Sequence, residues 1–108
     1  MNPASAYVIS EREIRLSKIA ARDFQDKISS GEIADLYNNN FDAEIKKSVT
    51  HKEFNKFITK INTALGSRKN SILFNYKKIN NHLIRVSFMS EFNKGVSVEI
   101  YYIDCWRR

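Results

Sequence analysis

Apolar residues recur along this chain with two different periods, helical up to about residue 70 and strand-like after it. Ser10 to Glu13 read "SERE", a capping box in which hydroxyl and carboxylate each satisfy an orphaned backbone N–H. Ile9 and Ile14 flank it as a hydrophobic staple. Ile14, Ala21, Phe24 and Ile28 then follow at helical spacing, with small Ser17 and Ala20 beside the stripe. Gly31 supplies the left-handed residue that ends a helix cheaply. A helix over about 11–30 is predicted, then a short one over "EIADLY" at 32–37 and a polar break at "NNN", 38–40.

The stretch "SVTHKEFNKFITKINTALGSRKN", 48–70, repeats this grammar. Thr50 and Glu53 form a second capping box, Val49 and Phe54 a second staple. Phe54, Phe57, Ile58, Ile61, Ala64 and Leu65 make a broad apolar stripe, so a helix over 51–65 is expected with Phe57 buried in the core. Lys52, Lys56 and Lys60 lie one turn apart on another face.

Beyond residue 70 the period is 2. "SILFNYKKI", "HLIRVSFMSEF" and "VSVEIYYI" read as three half-buried strands. Keeping apolar residues on one face selects the register. A loop Asn93-Lys94-Gly95 with left-handed Gly95 pairs Phe88 with Ile100 and Val86 with Tyr102. A two-residue loop is rejected because it sets Phe88 opposite Glu99. A loop Ile79-Asn80-Asn81 with left-handed Asn81 pairs Tyr76 with Ile84 and Phe74 with Val86. The inward set is then Ile72, Phe74, Tyr76, Ile84, Val86, Phe88, Val98, Ile100 and Tyr102. Leu73, Ile79, Leu83, Met89, Tyr101 and Ile103 fall on the outer face. The fold class is α+β: N-terminal helices on one face of a curved antiparallel meander.

Composition adds limits. The 108 residues are 43% hydrophobic and 28% charged, ordinary for one globular domain over 1–108, with 1–9 expected to form a flexible or leader-derived arm. No apolar run is long enough to cross a membrane as a helix. The opening residues lack a signal-peptide pattern, so the chain reads as cytoplasmic as written, and as periplasmic or secreted if a leader was removed. Cys105 is the single cysteine, which excludes an internal disulfide; with His51 and His82 it forms no catalytic or metal motif. No cofactor motif occurs. The net charge of +6 is uneven: residues 1–50 hold seven Lys and Arg against eight Asp and Glu, residues 51–108 eleven against four. Such asymmetry marks chains that meet acidic partners.

The order of "ARDFQDKISSGEIADLY", "SVTHKEFNKFI", "LGSR" at 65–68 and "FNKGVSVEIYYI" before Trp106 resembles the cone-shaped domains called nuclear-transport-factor-2-like or cystatin-like. Within them it is similar to an uncharacterised bacterial secreted or lipoprotein-type family. The resemblance implies a curved sheet and no catalytic residues to carry over. It also implies that Trp106 opens a final strand, so a sheet ending at Ile103 would present an open edge.

Three functions follow as expectations. With no carboxylate, histidine or lysine among the inward residues, an enzyme is disfavoured. A non-enzymatic protein-binding module, such as an inhibitor or immunity-type protein blocking a toxin or enzyme, or a homodimer, would use Leu73, Met89, Tyr101, Ile103 and the patch Lys52, Lys56, Lys60, Arg68 and Lys69. A nucleic-acid-binding domain would use the patch and residues 68–78, which lacks interleaved aromatics. Small apolar ligands would enter the cone beside Tyr76 and Tyr102.

Overall fold

The computed structural model describes residues 7–105; Trp106 and its predicted strand, and residues 1–6 of the expected arm, lie outside these. The helices precede the strands: α1 (Glu11–Ser30), α2 (Ile33–Asp35), α3 (Ala43–Ser48), α4 (His51–Leu65), then β1 (Arg68–Lys78), β2 (Leu83–Phe92) and β3 (Gly95–Asp104). A π-helical turn, Leu36–Asn40, continues α2 through the polar break. The strands pair in the order β1-β2-β3 as an antiparallel, unclosed sheet, so the class is α+β.

Local chemistry fixes the helix ends. Both capping boxes form, Ser10 with Glu13 and Thr50 with Glu53. Gly31 ends α1 at φ 81, in the left-handed region. Glu13 also receives Lys78 at 2.8 Å, tying the start of α1 to the end of β1. The pattern gave no warning of α3, which is short and rests on Asp42 accepting from the Ile45 N–H at 2.9 Å.

Two cores result. Ala21 of α1 lies on Ile84, Val86 and Phe88 of β2, flanked by Ile9, Leu73, Tyr101, Ile103 and Cys105. Ile9 thus belongs to the packed body rather than to a loose arm. The second core holds Leu36, Phe54 and Ile58, ringed by Phe24, Ile28, Ile33, Tyr37, Phe41 and Val49. The Tyr37 hydroxyl donates to the Val49 carbonyl at 2.6 Å, fastening this core to the start of α4. Phe24 joins the two, edge-on to Phe54 at 6.5 Å and to Tyr101 at 5.4 Å.

Phe57 corrects the sequence reading: it is 57% exposed. The packed line of α4 is Phe54, Ile58, Ile61 and Leu65. Phe57 and Ala64, seven residues apart, share the flank of the stripe that stays exposed.

The register corrects it again. β2 pairs Phe92 with Gly95, Phe88 with Glu99 and Val86 with Tyr101, across the two-residue loop Asn93-Lys94. On the other side Tyr76 meets Val86 and Leu73 meets Phe88, with irregularities between Arg68 and Asn70 and between Leu73 and Asn75. Gly95 and Asn81 are not left-handed. The first turn is anchored from outside the hairpin: the Asn93 and Lys94 N–H groups donate to the Ser67 and Leu65 carbonyls, both at 2.9 Å. In the second, the Asn80 side chain accepts from the His82 and Leu83 N–H groups at 3.0 and 2.9 Å.

The unequal burial of Phe88 and Phe57 predicts unequal costs of truncation. Phe88→Ala, at 0% exposure, should lose about 3–5 kcal/mol of unfolding free energy. Phe57→Ala should lose less than about 1 kcal/mol. Urea unfolding of both variants checks this; equal losses would contradict the arrangement.

Candidate protein-docking surface

A buried ion pair sets which residues of the outer strands face water. Opposite Phe88, Glu99 points to the helix side, where the side chains of Arg68 and Glu99 are only 12% and 19% exposed. Arg68 donates to both carboxylate oxygens, Nη2 to Oε2 at 2.8 Å and Nη1 to Oε1. Ser90 and Tyr101 donate as well, the phenol at 2.8 Å, and Gln25 Nε2 reaches Oε1 at 3.4 Å. Ser71 and Ser90 share a hydrogen bond at 2.9 Å, and Gln25 donates to Ser71 at 3.0 Å. The guanidinium lies over the Phe92 ring, 4.8 Å from its centre, with Nε left buried and without a partner.

Burial pushes the Glu99 carboxyl up, but the hydrogen bonds from Arg68, Ser90 and Tyr101 outweigh it and hold it below its ordinary value. Burial and the adjacent Glu99 charge push the Tyr101 phenol up, so it stays a donor. The inward face therefore does carry a carboxylate, contrary to the sequence reading. Five donors occupy its two oxygens. Arg68 from β1 and Ser90 from β2 thus hold Glu99 of β3, and the arrangement anchors the three strands to one another.

With Glu99 turned in, β3 turns Val96, Val98, Ile100 and Tyr102 out. The face opposite α1 carries these with Ile72 and Met89, each 44–64% exposed. Ile72, Met89 and Val98 form one row across the sheet, flanked by Asn75, Ser87 and Ile100 in the next. Phe74, at the irregularity of β1, is also largely exposed.

The expected site residues are redistributed accordingly. Met89 is on the outer face. Leu73, Tyr101 and Ile103 are not; they pack against the core. Tyr102 looks outward rather than lining a cone, and Tyr76 is exposed. Lys52, Lys56, Lys60 and Lys69 remain exposed, whereas Arg68 is withdrawn from the basic patch by Glu99. Phe57 lies bare beside Lys56 and Lys60, an aromatic the sequence reading had assigned to the core. His51 stacks on Tyr37 at 5.2 Å and His82 meets Asp104 at 3.3 Å. Cys105 lies 3.6 Å from the Ser17 hydroxyl. Among the described residues no three His, Cys, Asp or Glu side chains gather where they could hold a metal ion, and no helix is long and apolar enough to cross a membrane. Comparison with protein-family models, curated proteins and solved structures finds no match to this chain.

Because folding lowers the Glu99 pKa, its stabilising effect is full above the unfolded value and is lost as pH falls through the folded one. Arg68→Met should therefore destabilise by about 3 kcal/mol at neutral pH. The gap to the parent should narrow below the ordinary carboxylate range, pH ~4. Pairing Arg68→Met with Glu99→Leu should recover most of the loss, since no charge is then stranded. Chemical unfolding across pH measures all three, and a pH-independent gap would count against the pair.

Proposed function

We propose that this protein is a non-enzymatic protein-binding module whose docking surface is the uncovered sheet face. The observation that carries the reading is the outward apolar set Ile72, Met89, Val96, Val98, Ile100 and Tyr102. The six lie side by side on one sheet face, and the largest apolar patch of an ordinary monomer, about 300–600 Å², is often functional. Isolated exposed apolar residues need no explanation, but a contiguous patch on one sheet face is stabilised by covering it. Its rim carries Lys77 and Arg85 at one end and Glu91 at the other, which gives an incoming surface direction as well as adhesion. The complementary partner is a folded protein presenting an apolar sheet face with charges in the opposite sense. Where that partner is a toxin or enzyme, the module acts as an inhibitor or immunity-type protein.

One observation favours a second reading, single-stranded nucleic acid. Phe57 stands exposed between Lys56 and Lys60, a stacking platform beside cations. Changing Lys52, Lys56 and Lys60 together to Gln then removes binding to an oligonucleotide and flattens its salt dependence by about two to three units of slope. For the protein-binding reading, these changes leave partner binding intact.

The full chain as tagged bait, against extract of its native host, tests the docking surface. A folded protein, a copy of this chain included, should be held by the parent and by the triple lysine variant and lost by Ile100→Glu. Circular dichroism should show Ile100→Glu still folded, since the position is solvent-exposed. Retention that ignores Ile100→Glu, or no retained protein, overturns the reading.

A further inference from the structure

We infer that the occupant of the outer sheet face is a second copy of this chain, packed face to face about a two-fold axis that runs across the strands. This rests on the docking reading above and names its partner. The carrying observation is the distribution of charge along the face. The row Lys77–Arg85–Tyr102 lies towards one end, with Leu83–Asp104 beyond it and Asp104 engaged by His82, and the row Asn70–Glu91–Val96 lies towards the other. Between them the rows Asn75–Ser87–Ile100 and Ile72–Met89–Val98 hold no charge at all. Lys77, Arg85 and Glu91 form no ion pair among the described residues.

Two sheets can face each other with two-fold symmetry in two ways. An axis along the strands sets like end on like end, so Arg85 meets Arg85 and Glu91 meets Glu91. An axis across the strands, level with Phe88, reverses one sheet end for end while each strand still lies over its own copy. Arg85 then meets Glu91 twice. On β3, Val98 lies over Ile100 and Val96 over Tyr102, so its whole outward stripe is self-complementary. Like charges facing across a desolvated interface are unfavourable and opposite charges set the register, so the second arrangement is selected. Sheets packed in this way sit about 10 Å apart, near −30°. The apolar set and its polar rim are the surface from which each partner would bury the ~800 Å² of a stable dimer. Pairing two β3 edges instead would satisfy edge amides but leave every one of these side chains in water.

Sedimentation velocity of the full chain over a concentration series should show a monomer–dimer equilibrium. Val98→Glu with Ile100→Glu should give a monomer. Should that variant fail to fold, Val98→Thr with Ile100→Thr keeps β-forming residues and should weaken the dimer at least tenfold. Arg85→Glu and Glu91→Arg should each weaken it at least tenfold, and the two together should restore it, because the exchange regenerates both cross-axis pairs. A dimer indifferent to the β3 substitutions, or single charge variants with no rescue in the double, overturns the inference. So does a parent that stays monomeric at millimolar concentration. If that monomer still retains a different host protein in a manner sensitive to Ile100→Glu, the docking reading survives alone; if it retains nothing, both fall.

Discussion

The Arg68–Glu99 pair is the constraint from which the sheet's two faces follow. A strand has only two faces, and moving its pairing by one residue exchanges them completely. Glu99 opposite Phe88 would be prohibitive as an isolated charge beneath a helix. It is tolerated because Arg68, arriving from the far side of β2, presents a planar fork to both oxygens while Ser90, Tyr101 and Gln25 supply further donors. The pair reaches across the central strand, so it pins β1 and β3 at once. Everything outward on β3 is outward because Glu99 is inward.

This also explains which parts of the fold were legible. The helices that start with capping boxes, the glycine after α1, the three strands and their meander order all follow from local rules, and the structure has them. The central strand was legible too, since Ile84, Val86 and Phe88 are buried as their alternation requires. The outer strands were not. The outward face of β3, Val96, Val98, Ile100 and Tyr102, is its more apolar one, so hydrophobic pattern alone selects it for burial and rejects the register that exists. The deciding partner, Arg68, sits in the sequence beside Lys69 and looks there like part of a surface patch. No rule of periodicity connects residue 68 to residue 99; their meeting needs the sheet to be built first. Phe57 failed for a related reason. A broad stripe on a helix states that one side is buried but not how wide the neighbour is, and α4 is covered only along Phe54, Ile58, Ile61 and Leu65.

The candidate surface inherits this history. Of the four apolar sheet residues expected to meet a partner, Leu73, Met89, Tyr101 and Ile103, only Met89 lies on the outer face. Three strands with the described helices on one side leave the side chains of the other side exposed among the described residues. Its composition depended on one ionic contact. A polar interaction inside the protein therefore determines the hydrophobic character of its outside.

Phe24 gives the molecule's energetics a particular shape. Its ring touches Tyr101 of the sheet core and Phe41 and Phe54 of the helical core. Substitutions at separate sites without shared neighbours add in free energy, whereas those with a common contact do not. A change deep in the sheet and one near Leu36 therefore combine as independent terms. Any change at Phe24 alters the environment of both sets at once, so its effect does not add to that of a change in either half.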